Sequence, residues 1–310
     1  MEENAHNKLV QLIAIQPGGG LLPSPIISAT ISMTIRPIII VCLGVLFTSM
    51  SMVSSAYCEA LNIYFADVGR ANATLFYQPG KCAMLVDTGS QESSEALLSV
   101  MRKAGVKALD FVVVTHPHKD HFGGLQSIAD NYEIRELSDN GDTNEDEEGF
   151  VAYSKLQFSL PYSVLAKGDS WRCGDLSIEV LHPSAAFDTG DDYNSRSLAL
   201  RMGFNSFRLL LMGDVSGAGE RKMLQSSQEM ESMVLHVGHH GESNSTSREL
   251  LERVKPKIAI ISNGKEDLSR GVSQQVLDRL AANDVKTFRT DQEGTIHLRV
   301  AENGNIRLKP

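Results

Sequence analysis

The stretch VVVTHPHKDHFGGL, residues 112–125, sets His116, His118, Asp120 and His121 within six positions, directly after a run of β-branched residues. Imidazole and carboxylate are donors that zinc, manganese and iron accept, and none of these four side chains needs a thiolate partner. In a short loop after a strand, His116 and His118 can turn toward one metal. Asp120 and His121, at the start of the next helix, then face a second position. Asp214, in LLLMGD, can bridge the two. A shared carboxylate holds two cations about 3.5–4 Å apart, and both then polarise one water for attack. The expected chemistry is hydrolysis. A solvated polar loop is the competing explanation, and it accounts for the first four residues alone.

The others share a position. Asp67 follows IYFA, Asp87 follows AMLV, His116 follows FVVVT, Asp214 follows LLLMG, and His239 and His240 follow MVLHVG. Each stands where a hydrophobic strand stops, and layered α/β proteins gather ligands at the carboxyl ends of strands. Any one of them alone reads as a turn residue, Asp87 in VDTGS especially. Six together do not.

The elements that must position these residues alternate. LNIYFADVG reads as a strand and ATLFYQPGKCAMLVDTG as a strand pair turning at Pro79 and Gly80. Ser90 is placed to cap a helix with Leu97, Leu98 and Met101 on one face and Gly105 at its end, before the strand LDFVVVT. The second half repeats the order. NSRSLALRM and SFRLLLMGD read as strands, followed by a helix near 219–230, the strand MVLHVGHHG and the helix SRELLERV. KIAIISNG, VSQQVLDRLAA, VKTFRT and GTIHLRV then read as strand, helix, strand and strand, with DQEG at 291–294 as a hairpin turn. Two sheets that each need helices on an outer face give an α/β fold, a four-layer αββα sandwich, in one domain over residues 61–310.

Composition bounds the partners. The 310 residues carry a net charge of -9, part of it in DNGDTNEDEEG at 139–149, which reads as a solvated loop. No basic cluster stands out along the chain, which argues against strong binding of duplex nucleic acid; a small or single-stranded phosphodiester stays open as a substrate. From Met33 the sequence has Arg36, an apolar run from Pro37 to Phe47 and then small residues, the layout of a secretory signal. The run is shorter than the ~20 residues of a spanning helix, so residues 1–60 are expected to be an N-terminal extension and cleaved signal, with no integral membrane domain beyond it. Export, to the periplasm or outside, follows. Cys82 and Cys173 remain after a cut at Ala60, and a disulfide and two buried thiols are both open.

In this order, DVG, VDTG, THPHKDHFGGL, LLLMGD and VGHHGESNS resemble the metallo-β-lactamase superfamily, and within it the hydrolase domain of the ComEC/Rec2 competence family, from about Leu61 to Val300. The resemblance implies an αββα fold and two divalent metal ions, zinc or manganese foremost. It puts the ligands at His116, His118, Asp120, His121, Asp214 and His240, since the superfamily's last metal histidine commonly precedes glycine. His239 is then the expected proton donor, Asp120 also orients the nucleophile, and Asp67 and Asp87 support the ligands from outside. Asn194, Arg196 and Ser197 stand where the family has Asn-x-Asn-Ser and are expected to meet substrate, with Arg196 either a phosphate clamp or a rim residue. The family's DVGQGDA is DVGRANA here, with Ala71 and Asn72 in place of glycine and aspartate, and Gly271 stands where the family has a histidine. His182, in VLHPS, is the one candidate for the third histidine of true β-lactamases and reads better as structural, while His236 and His297 read as packed or surface residues. The implied function is an exported metal-dependent phosphodiester hydrolase. A hydrolase of a lactone, β-lactam or thioester, and a non-catalytic metal-binding module, are the alternatives.

Overall fold

Alternation decides the first strand: Leu61, Ile63 and Phe65 are fully buried on one face, while Asn62 and Tyr64 lie half-buried on the other. The computed structural model describes residues 60–184, 192–265 and 271–309, so the signal assigned within 1–60 lies outside the described residues. The chain runs β1 (Leu61–Phe65), β2 (Thr74–Gln78), β3 (Cys82–Val86), α1 (Ser94–Ala104), β4 (Ala108–Leu109), β5 (Phe111–Val113), α2 (Lys119–Phe122) and α3 (Leu125–Asn131). Next come β6 (Glu133–Ile134), β7 (Leu137–Asp139), α4 (Phe150–Ser159), β8 (Tyr162–Val164), β9 (Ser170–Cys173), β10 (Leu176–His182), β11 (Ala199–Phe204) and β12 (Phe207–Leu211). The remainder is α5 (Gly217–Leu224), β13 (Val234–His236), α6 (Arg248–Val254), β14 (Ile258–Ile261), α7 (Gln274–Ala282), β15 (Lys286–Arg289), α8 (Thr290–Glu293), β16 (Ile296–Val300) and β17 (Ile306–Lys309).

Two sheets stack. One has the order β17-β16-β1-β2-β3-β5-β7-β8 and the other β15-β14-β13-β12-β11-β10-β9. Their facing sides share a core in which Ile63, Phe65 and Met84 meet Ile178, Leu200 and Leu209. The outer side of the first sheet packs Leu85 and Val112 against Leu97, Met101, Ile128 and Tyr153 of its helices. The outer side of the second packs Leu210 and Leu235 against Met223, Leu251 and Leu280. Each such side chain contributes about 1.5–3 kcal/mol when fully buried, and the four layers follow from burying both faces of both sheets. β3, β5 and β7 run parallel, as do β12, β13 and β14, which brings Asp87, His116, Asp214 and His240 to strand ends.

Several local expectations change. α1 begins at Ser94 with Ser93 at its N-cap, because residues 90–93 close a turn in which the Ser93 N–H donates to the Ser90 carbonyl at 3.2 Å. The residues read as a hairpin turn at 291–294 form α8, since β15 and β16 belong to different sheets and the connection must cross between them. The acidic segment is only half solvated. Asp139, Asn140, Asp142 and Asn144 are buried, with Asp139 accepting hydrogen bonds from the Tyr153 and Tyr162 hydroxyls and Gln157, and Asn144 donating to the Pro117 carbonyl. A disulfide joins Cys82 to Cys173 and so ties β3 to the edge strand β9. No helix of the described residues is long and apolar enough to cross a membrane.

Candidate metal centre

The motif loop is built from the end of β5. Thr115 ends the strand region with its backbone N–H donating to Asp87 Oδ1 at 2.7 Å, which locks the loop to the end of β3. His116 is fully buried, its Nδ1 within 3.2 Å of Thr115 Oγ1 and 3.3 Å of Ser197 Oγ. Its Nε2 faces His118 Nδ1 at 2.8 Å. His121, on the one-turn helix α2, puts Nδ1 2.8 Å from Asp87 Oδ2, so that carboxylate fixes the ring and directs Nε2 inward.

The second sheet supplies the rest. Asp214 follows β12 through Gly213, where a Cβ would lie 2.3 Å from Ser197 Oγ, the hydroxyl that accepts the Asp214 N–H at 3.0 Å. Asp214 Oδ2 lies 3.3 Å from His121 Nε2, 3.5 Å from His240 Nε2 and 4.0 Å from His116 Nε2. Asp120 Oδ2 is 3.3 Å from His240 Nε2. After β13 the backbone turns left-handed at His239 (φ 48°) and His240 (φ 51°), a conformation that costs about 1–3 kcal/mol per non-glycine residue and persists where its surroundings enforce it. Enforcement is visible: His240 Nδ1 lies 3.1 Å from the Ser262 carbonyl, and Asn263 Nδ2 donates to the His240 carbonyl at 3.1 Å.

Two sets of donors each gather within 4.8 Å: His116, His121 and Asp214, and Asp120, His121 and His240. His118 adjoins the first through His116. Burial holds the His116 imidazole well below its ordinary pKa, reinforced by the charge on His121. For His121 burial opposes the charged form, but Asp214, Asp87 and Asp120 together outweigh it and hold its pKa well above the usual range. Three carboxylates around one imidazole demand a positive charge, and either a proton or a cation can supply it. The Nε2 atoms of His121 and His240 are buried and make no hydrogen bond, despite the nearby carboxylate oxygens. A proton on these atoms is poorly directed. With both Nδ1 atoms occupied by protein acceptors, two inward lone pairs beside Asp214 and Asp120 match the donor set of a divalent cation.

Other expected residues fall elsewhere. Arg196 is no free phosphate clamp: its Nε donates to Asp142 Oδ2 at 2.8 Å, and the two side chains are 11% and 7% exposed. Ser197 is fully buried between His116 and Asp214, so it positions those groups and is closed to substrate. Asn194 reaches the centre's edge with Nδ2 3.1 Å from His239 Nε2. Asp67 lies outside both donor sets, and its backbone N–H donates to Thr295 Oγ1. His182 is buried with Nε2 2.8 Å from the Ser195 carbonyl, His236 Nε2 is 2.9 Å from Ser262 Oγ, and His297 stacks on Tyr64. None of these three joins a donor set.

Some supports were not legible. Asn72, which the motif alone presents as a departure from aspartate, donates from Nδ2 to Asp214 Oδ1 at 3.3 Å, where an aspartate would set a second carboxylate against the first. Thr290 Oγ1 donates to the Asn263 carbonyl and so braces the His240 turn. Glu242 pairs with Arg70 and lies 3.6 Å from His239 Nε2, an arrangement with no local sequence signal.

Comparison with known proteins identifies the family and the fold. The sequence profile of the metallo-beta-lactamase superfamily matches residues 66–265. ComE operon protein 3 of Bacillus subtilis is 29% identical over 251 residues, covering 75% of this chain and 32% of that protein. Competence protein ComA of Neisseria gonorrhoeae is 26% identical, covering 71% of this chain and 30% of that protein. The chain therefore spans about a third of the length of these relatives. Among solved structures, the metallo-beta-lactamase fold protein YhfI from Bacillus subtilis superposes with a TM-score of 0.50 at 12% identity, covering 81% of this chain and all of that one.

Proposed function

Because the chain belongs to the metallo-β-lactamase superfamily, we propose that it is a metal-dependent phosphodiester hydrolase, with two divalent cations, zinc or manganese, held by His116, His118, Asp120, His121, Asp214 and His240. One observation carries the reading: two buried imidazole nitrogens without hydrogen-bond partners converge on Asp214 and Asp120. When bound, such cations supply Lewis acidity and a water acidified toward neutrality. The chain's residues do the rest. Asp214, whose Oδ2 lies within 4.0 Å of the His116, His121 and His240 Nε2 atoms, would be the carboxylate shared between the cations, and Asp87 and the Ser262 carbonyl keep His121 and His240 turned inward. Asp120, with its side chain 32% exposed, is the carboxylate open to the solvent side and orients the nucleophile. His239, beside Asn194 and Glu242, hands a proton to the departing alcohol oxygen as the P–O bond breaks, leaving a phosphomonoester.

The competence relatives' names support a phosphodiester, as does the use of His182 Nε2 by a backbone carbonyl, which leaves the lactam-type reading without its third histidine. The Cys82–Cys173 disulfide supports export to an oxidising compartment. The test is turnover of bis(p-nitrophenyl) phosphate alongside a lactone, a β-lactam and a thioester. Asp214→Asn is expected to abolish phosphodiester cleavage with the circular dichroism spectrum intact. Unchanged turnover in that variant overturns the mechanism, and preference for the carbonyl substrates overturns the substrate.

A further inference from the structure

The second sheet carries a feature that no local stretch of sequence displays. Its outer face is covered near the strand ends, where Leu181, Ala199 and Leu210 pack with Met223 of α5. Two to four residues further along the strands from that helix the same face turns polar. Arg172, Ser177, Gly203 and Arg208 face one another across β9, β10, β11 and β12, and in the adjacent row Glu179 pairs with Arg201. Serine and glycine make a low floor between two arginines, and a depression of about 470 Å³ opens there. A Cβ at Gly203 would sit 2.5 Å from Ser177 Oγ and 3.4 Å from Arg208 Nη1, so any side chain would fill it.

Two of the three arginine charges in this depression are held without being neutralised. Arg172 Nη2 donates to the Asp175 carbonyl at 2.8 Å, and Arg208 Nη1 donates to the Phe207 carbonyl at 2.8 Å and also to that of Asn205. Among the described residues neither guanidinium pairs with a carboxylate. Arg201 has Glu179 at 3.7 Å, yet its Nε is buried with no hydrogen-bond partner. Three guanidiniums line the depression against the Glu179 carboxylate, with Glu229 also within electrostatic reach of Arg201, and they leave a net positive patch in a chain with a net charge of -9. Backbone carbonyls orient the planar forks but leave N–H groups toward solvent, a geometry suited to phosphate oxygens.

We infer that this arginine row is an anion-binding site, separate from the metal centre, that grips the phosphate backbone of a single-stranded nucleic acid. The choice of nucleic acid rests on the phosphodiester reading of the metal centre; the anion site itself does not. Arg208 lies near the start of β12 and Asp214 beyond its end, with Arg208 and Leu211 already roughly 10 Å apart at the strand rise, so a substrate that reaches both sites must be an extended chain. Three cations are few for a duplex and suit a single strand.

The test compares the full chain with an Arg172→Gln/Arg208→Gln variant, which leaves the Arg201–Glu179 pair and the metal centre intact. Binding of a fluorescent oligothymidylate is measured with Asp214→Asn in both proteins, so that no cleavage intervenes. The expected result is a Kd raised roughly tenfold at low salt, and a plot of log K against log salt shallower by about 1.4, each arginine removed leaving one phosphate un-neutralised at about 0.7 apiece. Turnover of bis(p-nitrophenyl) phosphate, with Asp214 restored, stays unchanged. Equal binding or equal slopes overturn the inference. Arginine-dependent binding to vesicles of phosphatidylcholine and phosphatidylglycerol, without binding to the oligonucleotide, overturns the choice of nucleic acid. Arginine-dependent oligonucleotide binding in a protein that cleaves no phosphodiester leaves the site standing and refutes the proposed activity instead.

Discussion

His236 gives a stability test that is independent of catalysis. It lies on β13, 1% exposed, with its ring 5.2 Å from that of Phe65 and Nε2 beside Ser262 Oγ. Burial, and then the neighbouring His240, push its pKa down to about 3, so it stays neutral in the fold at pH values where the unfolded chain takes up a proton. Because the folded pKa is depressed, the contribution is full above the unfolded value near 6.5, declines as pH falls below it, and is exhausted near 3. At about 1.36 kcal/mol per pH unit, the wild type loses about 2 kcal/mol by pH 5 through this residue alone. His236→Gln keeps a donor toward Ser262 and removes the titration. Urea unfolding at pH 8, 7, 6 and 5, with chelator present throughout, reads the difference between the two proteins, in which the other histidines cancel. The stability gap is expected to shift by about 2 kcal/mol in favour of the variant between pH 8 and pH 5. Parallel stability curves would refute the claim that this imidazole is buried neutral.

Three further outcomes follow from the same geometry. Arg196→Ala is expected to destabilise the fold by about 3–5 kcal/mol, because it strands buried Asp142; denaturant unfolding checks it, and a raised KM with unchanged stability would restore the phosphate-clamp role. Asp87→Ala frees the His121 ring and is expected to weaken metal affinity by about 10–100-fold in a competition titration with a chromophoric chelator, whereas wild-type affinity would show that Asp87 does not orient the ligand. The Cys82→Ala/Cys173→Ala variant should lose about 2–4 kcal/mol through the loop it opens, and wild-type stability in it would mean the bridge does not constrain the chain.

The metal motif was legible because its parts are local. Spacing within VVVTHPHKDHFGGL puts His116, His118, Asp120 and His121 on one loop and one helical turn, and the remaining ligand candidates, Asp214 and His240, each follow a hydrophobic run. Asp67 shows the limit, since a strand end is a necessary position for a ligand and not a sufficient one. Arg196 shows another: its one charge faces a segment whose composition suggests solvation, and only folding buries Asp142 against it. The boundary of α1 and the nature of residues 290–293 moved because a cap and a turn depend on which sheet the chain enters next.

By itself the sequence determined the layer order and the chemistry available, because hydrophobic periodicity and ligand spacing are properties of neighbours along the chain. Tertiary structure alone decided that Asn72 and Ser197 hold Asp214 among the imidazoles, and that arginines from three strands share one face. Such pairings join residues tens to well over a hundred positions apart, and only strand register and the packing of two sheets bring them into contact.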